Sequence, residues 1–322
     1  MKMKSILTAG LLALSTLTVH ADTFNGGAFS MNFVPIGNAG NAPDPIYSLD
    51  GTIGWGTVSY DYNMAVTDVS QTMLASAQAA LGGTSVVNLG GGAWAGSQPA
   101  ANVTWYQAAA FVNYLNTSSG YAAAYNLTFS GSTPTGLTLW NGGNIWTLGG
   151  SNPFRNANTH YFLPSENEWY KAAYHKNDGV TADYWLFATG SDTAPTAVAS
   201  GTAAGTAVYT AGSTNPTAPA AVDQSGGLSP YGTQGQTGNV WQWEESEFFH
   251  QPNSIDGTRG VRGGYWGNAP VALQASFRSF GSPTDSANNI GFRVASVPEP
   301  SCAGLMLSAG LLALARRRRR SA

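Results

Sequence analysis

The clearest hydrophobic pattern in the chain predicts a helix over residues 105–117. Its apolar residues recur at i, i+3, i+4 and i+7, the spacing that lines one face of a helix: Ala108, Phe111, Val112 and Leu115. Thr104 and Gln107 stand where a capping box would satisfy the first free backbone N–H groups. This helix is therefore predicted from both its face and its start.

Two further helices are predicted from their start signals. Ser165 and Glu168 form a second capping box, and Pro164 prevents the helix from extending backwards. Another helix is predicted to start near Asp68, with Gln71 as its capping partner.

The rest of the chain has the pattern of short strands and loops. Residues 29–37 and 55–62 alternate in part, and Trp241 and Trp243 alternate as strand residues do. Residues 188–229 are rich in Ala, Thr, Ser and Gly without a period, which indicates a long surface segment or an irregular insertion. There is no internal repeat, so we predict one irregular α+β domain over residues 22–296.

The N-terminal segment has the pattern of a cleaved signal peptide over residues 1–21. Lys2 and Lys4 precede an apolar run from Ile6 to Leu17, and Ala21 offers a small residue before the cut. A membrane anchor is the alternative, but the apolar run is shorter than the ~20 residues that a span needs.

The C-terminal segment, residues 297–322, combines three features in order. These are a Pro-Glu-Pro motif, a short apolar stretch over residues 303–315, and an arginine cluster that would stay on the cytoplasmic side of a membrane. The residues are Pro298, Glu299, Pro300, Arg316, Arg317, Arg318, Arg319 and Arg320. The segment resembles the PEP-CTERM sorting signal of exported bacterial proteins. That resemblance implies transient tethering by a short transmembrane helix, processing by an exosortase-type peptidase, and a final place at the cell surface or in an exopolysaccharide matrix.

Composition adds to this picture of an exported domain. The whole chain carries 14 basic and 17 acidic residues, but residues 22–297 alone keep seven basic and sixteen acidic ones, a net charge of −9. So few cations argue against nucleic acid as a partner. The only cysteine, Cys302, lies in the C-terminal segment, so the domain has neither a disulfide nor a cysteine-rich metal site.

An ordered set of short motifs across residues 31–296 resembles the formylglycine-generating enzyme (sulfatase-modifying factor) domain. The set includes Leu-Pro-Ser-Glu-Asn-Glu-Trp from Leu163, Gly-Asn-Val-Trp-Gln-Trp from Gly238, and Ile-Gly-Phe-Arg-Val-Ala from Ile290. The resemblance implies a loop-rich variant of the C-type lectin-like fold. Its motif positions, for which we favour a structural role, are Trp105, Glu168, Trp169, Trp241, Trp243, Arg262, Gly263, Gly264, Arg278, Gly291, Phe292 and Arg293.

The chemistry that this resemblance implies is not matched by the residues. The copper-binding cysteine pair would fall between Gly264 and Gly291, where there is no cysteine. The iron-dependent branch needs a His-x-x-x-His-x-Glu cluster, and His160, His175 and His250 do not have that spacing. We therefore assign no catalytic residue and expect each histidine to be on the surface or hydrogen-bonded.

The remaining charged residues allow two interpretations. Glu244, Glu245 and Glu247 could supply an acid/base pair, but an exposed or cation-binding cluster is the favoured one. The motif arginines are expected to pair with buried carboxylates or carbonyl groups.

Calcium is the one cofactor that remains open. The resemblance implies a site around the Gly-Asn-Val-Trp strand, for which Asn239, Gln242 and Asp223 are the candidate ligands. Gln242 replaces a usual glutamate, which lowers the charge of the site. Gln251-Pro252-Asn253 is a weak match to sugar-binding triplets and also forms a good turn.

The leading hypothesis is an exported, non-catalytic surface or matrix protein. In it an enzyme-derived domain binds or scaffolds exopolysaccharide or another envelope component. The alternatives are an enzyme with a non-standard active site and a calcium-dependent glycan-binding module.

Overall fold

The computed structural model describes residues 22–46, 51, 54–250 and 254–298. It contains three helices in these ranges: α1 (Gln71–Ala80), α2 (Trp105–Ser118) and α3 (Glu166–Tyr174). The strands are β1 (Thr23–Asn25), β2 (Ser30–Ile36), β3 (Tyr62–Ala65), β4 (Asn126–Ser130), β5 (Thr133–Thr138), β6 (Ile145–Trp146), β7 (Asn152–Asn156), β8 (Tyr161–Phe162), β9 (Thr196–Val198), β10 (Thr206–Val208), β11 (Trp241–Glu247), β12 (Arg259–Arg262), β13 (Ser279–Gly281), β14 (Ile290–Phe292) and β15 (Ala295–Ser296). The predicted α+β class is confirmed.

Two larger sheets carry the architecture. One is antiparallel with the order β1-β2-β3-β15-β8, and the other has the order β13-β12-β11-β14, in which β14 runs parallel to β11. The pairs β4–β5, β6–β7 and β9–β10 stand apart from them. Since β14 and β15 follow each other in the chain but belong to different sheets, the segment around Arg293 joins the two.

Helix α2 lies in the main hydrophobic core, where its buried residues include Trp105, Phe111 and Leu115. Its capping box is present in both directions: Thr104 Oγ1 accepts from Gln107 N at 3.1 Å, and Gln107 Oε1 accepts from Thr104 N at 2.9 Å. The predicted box at Ser165 and Glu168 is likewise formed at the start of α3.

Three local predictions are corrected. The cap of α1 is Ser70, whose hydroxyl accepts from Met73 N, because the Asp68 side chain binds Arg293 instead. The second alternating segment forms a strand only from Tyr62 onward. Part of 188–229 is packed rather than superficial, since Val208 is fully buried.

The two ends of the described domain meet. Asp22 Oδ2 accepts a hydrogen bond from Ser296 Oγ at 2.8 Å and lies 2.8 Å from His160 Nε2. Val297 N in turn donates to His160 O. Residues 22 and 297 therefore lie close together in the fold.

Most of the domain's positive charge is inside. Of its seven basic residues, five are at most 1% exposed: Arg155, Lys171, Arg259, Arg262 and Arg293. In a chain with so few charges, burial without partners would be very costly, so these side chains locate the polar interior.

No helix in the described part of the chain is long and apolar enough to cross a membrane. The predicted signal peptide, most of the Pro-Glu-Pro motif, the apolar stretch and the arginine cluster lie outside the described residues, as does Gln251-Pro252-Asn253.

Candidate functional site

A groove runs over the start of α3. Its first hollow, of about 260 Å³, lies between the 57–60 loop, the 146–152 loop and residues Ser165–Glu168. A second hollow, of about 230 Å³, lies over the end of β11 and reaches His250. The two hollows share Asn152 and Ser165, so they adjoin and form one surface feature.

The floor of the groove is an arginine held by two glutamates. Arg155, on β7, donates to both oxygens of Glu168 at 3.0 Å and to both oxygens of Glu245 at 2.9 and 2.8 Å. Its guanidinium lies 3.7 Å from the ring centre of Phe162 and 4.9 Å from that of Trp146. We call Arg155, Glu168 and Glu245 the groove cluster.

Neutral donors complete the bonding of the two glutamates. The Tyr60 hydroxyl and Ser165 N donate to Glu168. Tyr125 Oη and Asn152 Nδ2 donate to Glu245, at 2.9 and 2.6 Å. Burial acts to raise the pKa of Glu168, but Arg155 and the bonds from Tyr60 and Ser165 outweigh it, so that pKa lies below its usual value.

A second cluster lies on the other side of α3. Glu166 Oε1 accepts from Arg262 Nε at 2.8 Å and Nη2 at 2.6 Å, and Arg278 donates to both Glu166 oxygens at 2.6 and 2.8 Å. Glu244 completes this inner cluster, but at 3.6 Å its oxygen is too far from Arg262 Nε for a good hydrogen bond. The predicted pairing of these motif arginines with buried carboxylates is present.

Glu244 is a buried carboxyl group whose two oxygens have no hydrogen-bond partner among the described residues. Burial raises its pKa well above the usual value, and the charge of Glu166 adds to this against the opposing effect of Arg262. The carboxyl packs against Gly260, where a Cβ would lie 2.4 Å from Glu244 Oε2. The prediction of an exposed glutamate cluster is therefore wrong: Glu244, Glu245 and Glu247 are at most 6% exposed, because both faces of β11 are covered.

Exposed aromatic rings form a shelf whose residue Phe249 directly precedes His250 in the chain. Phe249 and Phe280 are 58% and 51% exposed, their ring centres are 5.6 Å apart, and both pack against Phe248. The His250 ring packs on Trp55 at 5.0 Å. The exposed rings are thus connected through the chain to a residue that lines the second hollow.

Comparison with known proteins identifies the family. The family model described as the sulfatase-modifying factor enzyme 1-like domain (FGE-sulfatase) matches residues 60–297. The chain belongs to this family. Among curated proteins, nothing matches.

Solved structures share the fold of this FGE-sulfatase domain at low sequence identity. Treponema denticola variable protein 1 is 23% identical with a TM-score of 0.57, covering 87% of this chain and 100% of its own. CarF is 18% identical with a TM-score of 0.58, covering 83% and 98%. PvdO from Pseudomonas aeruginosa is 16% identical with a TM-score of 0.52, covering 83% and 94%.

The candidate calcium ligands do not fit a calcium site. Gln242 Oε1 already accepts from Trp169 Nε1 at 2.7 Å and from Arg293 Nε at 3.1 Å. Asn239 is fully buried, with its oxygen accepting from Ala220 N, whereas Asp223 is exposed. The three residues therefore do not present free oxygens to one point.

The oxygen atoms around Gln242 are bound by the guanidinium group of Arg293. Its guanidinium donates to Gln242, to Asp68 Oδ1 at 3.0 Å, and to three backbone carbonyls, those of Ala65, Val66 and Gln234. We call this arrangement the Arg293 cage. Burial, opposed by Arg293, raises the pKa of Asp68 to about 6. Across the described ranges, no group of three or more His, Cys, Asp or Glu side chains could hold a metal ion.

The other FGE-sulfatase motif residues lie in the core. The indole N–H groups of Trp105 and Trp243 donate to Glu244 O and Val103 O, and Trp241 stacks on Phe277. Phe292 packs edge-on against Phe111. Gly263 and Gly264 have positive φ, and a Cβ at Gly291 would lie 2.9 Å from Ala100 O.

Of the three histidines within residues 22–297, two are buried and hydrogen-bonded. His160 contacts Asp22, and His175 Nδ1 lies 2.9 Å from Tyr231 Oη. His250 is 46% exposed and 3.9 Å from Glu166 Oε2.

Sequence reasoning missed Arg155, Glu166 and Asn152. A signal existed for Arg155, since it is one of only seven basic residues in the domain. Nothing in the local sequence indicates its partners, because Glu245 is 90 positions away.

Proposed function

We propose that the chain is an exported, non-catalytic binding module of the cell surface or exopolysaccharide matrix. The observation that carries the proposal is the groove cluster. Both carboxylates on the groove floor are fully bonded to Arg155 and to neutral donors, and the pKa of Glu168 is lowered. Glu168 is therefore a poor general acid or base, because its lowered pKa lies far from the operating pH.

The carboxyl groups with a raised pKa, those of Glu244, Asp68 and Asp44, do not provide an alternative, because none of them lines either hollow. Glu244 is fully buried behind Gly260, and neither hollow is lined by it. The thiol pair on which the family's cysteine oxidation depends has no counterpart, since Cys302 lies in the C-terminal segment. Binding without turnover is therefore the role that these residues support best.

Export and sorting rest on the two terminal segments. The signal peptide and the Pro-Glu-Pro, apolar and arginine features support transient tethering in the inner membrane and exosortase-type processing. Since residues 22 and 297 meet in the fold, cleavage at both ends would release the domain without opening it.

One experiment tests catalysis. The purified full chain is incubated with Cu(I), oxygen and a cysteine-containing peptide, and aldehyde formation is followed by mass spectrometry. We expect no aldehyde above the copper-only control, and enzyme-dependent aldehyde would overturn the proposal.

A second experiment tests sorting. Deletion of Arg316–Arg320 is expected to change processing and to leave the protein in the membrane fraction, whereas the intact chain reaches the surface or matrix. Identical processing and release of both forms would contradict the sorting part.

A further inference from the structure

We infer that the groove and the aromatic shelf together bind a neutral saccharide chain without calcium. This inference rests on the proposed binding function and names its ligand class. Three independent features of the surface support it: the polar groups in the hollows, the exposed rings of the aromatic shelf, and the distribution of charge.

The first hollow presents hydroxyl and amide groups that are free to bind a ligand. Ser59, Ser151 and Asn167 all line it. Asn167 Oδ1 accepts from Gly56 N at 2.9 Å, but its Nδ2 and the two serine hydroxyls have no partner among the described residues. Hydroxyl groups both donate and accept, as sugar hydroxyls do, so the two sets are complementary.

The aromatic shelf supplies the apolar part of the recognition. Phe249 and Phe280 expose more than half of their surface, and Phe249 directly precedes His250, which lines the second hollow. Exposed apolar patches of this kind mark binding sites, and aromatic rings combine large contact area with little loss of side-chain entropy. The C–H faces of a sugar can pack against such rings, while the sugar hydroxyls bind the polar groups that line the first hollow.

The charges of the groove and of the whole domain favour a neutral ligand over an anionic one. The only cation that lines either hollow, within the described residues, is Arg155, whose contacts with Glu168 and Glu245 leave it no free charge. The acidic net charge of the domain repels anionic polymers. Calcium is not required, because Arg293 already occupies the oxygen-rich cage and Gln242 is fully bonded.

The test is calorimetric titration of the purified full chain in EDTA. The probes are cellohexaose, laminarihexaose, maltohexaose and mannohexaose, the neutral polysaccharide fraction of the producing strain's matrix, an oligogalacturonate hexamer and a lysine-rich peptide. We expect saturable binding of at least one neutral probe and none of the anionic hexamer.

Location is tested with the double variant Phe249→Ala/Phe280→Ala. It should weaken neutral-saccharide binding about threefold to tenfold, the effect of losing aromatic contacts. The matched control is Phe129→Ala, which removes a ring of similar exposure, 48%, from β4. The control should bind like the unaltered chain, and unchanged melting temperatures would show that both variants are folded.

Several outcomes overturn the inference. These are no binding of any neutral probe, binding that EDTA abolishes, equal affinities for the double variant and the unaltered chain, or preference for the lysine-rich peptide. If the chain still associates with the whole matrix while no neutral probe binds, only the ligand class fails. Peptide oxidation in the copper assay would instead remove the proposed function itself.

Discussion

The groove cluster and the inner cluster lie on opposite sides of the start of α3. They differ in how completely their carboxylate oxygens are hydrogen-bonded. The groove cluster has one arginine for two glutamates, yet every carboxylate oxygen is hydrogen-bonded. The inner cluster has two arginines for two glutamates, yet the two carboxyl oxygens of Glu244 have no hydrogen-bond partner among the described residues. Bonding geometry, rather than the count of charges, decides which carboxyl groups are stabilised as anions.

The cause lies in how the arginine donors are shared. Arg155 divides its guanidinium between two partners, and Tyr60, Tyr125 and Asn152 supply the remaining bonds. In the inner cluster, Glu166 takes donors from both arginines, and Arg262 Nη1 turns to the carbonyls of Ala275 and Phe277. The Glu244 carboxyl is therefore buried without hydrogen bonds that would stabilise its charged form.

The largest effect should come from breaking the groove cluster. Arg155→Met leaves two buried carboxylates without their counter-charge, and we expect a loss of about 3–5 kcal/mol in the free energy of unfolding, measured in urea. Lys176→Met is the matched control, because this cation lies over the Trp185 ring without a buried partner. It should change stability by less than about 0.5 kcal/mol. Similar stabilities of the two variants would contradict the structural role of Arg155.

A smaller effect is expected from Glu168→Gln, which keeps the shape but removes the charge. We expect a loss of about 2 kcal/mol at pH 7, the value of hydrogen bonds to a charged group. Because the folded-state pKa of Glu168 is lowered, its stabilisation is present above the unfolded value of 4.5 and is lost as the pH falls. The difference between variant and unaltered chain should therefore shrink below about pH 4, as followed by urea unfolding at several pH values. A difference that stays constant with pH would argue against an ionised Glu168.

Glu244→Gln should show the opposite sign. The folded-state pKa of Glu244 is raised, so below pH 4.5 the group is protonated in both states and contributes nothing. As the pH rises above 4.5, the unfolded chain releases the proton more readily and the folded state loses stability. Relative to the unaltered chain, the variant should gain at least about 1 kcal/mol between pH 5 and pH 8. No gain in that range would show that Glu244 is solvated or better bonded than the structure indicates.

The smallest effect extends the comparison to the Arg293 cage. Calcium added to the EDTA-treated chain is expected to leave the melting temperature unchanged, because ligand-induced stabilisation requires a site in the folded state. Asp223→Asn is expected to behave in the same way. A melting temperature that rises with calcium concentration, and does so less in the variant, would restore the calcium site.

Interactions between residues close together in the sequence could be predicted, whereas those between distant residues could not. The predicted caps of α2 and α3 are confirmed, because Thr104 and Ser165 bind backbone groups only three residues away. The prediction that Asp68 caps α1 is wrong, because the Asp68 side chain binds Arg293, and local sequence cannot indicate a partner 225 positions away. The burial of Glu244 and Glu245 was missed for the same reason, since the layers that cover both faces of β11 come from remote parts of the chain.

The burial of the basic residues has a consequence for resistance to proteolysis. Proteases that cut after lysine or arginine need an accessible side chain and a locally extended backbone. Five of the domain's seven basic residues are inside the fold, and Lys176 lies flat on Trp185. The sequence places the remaining seven basic residues near its two ends, within the segments assigned to export and sorting. Trypsin-like enzymes are therefore expected to find few accessible sites within the described domain.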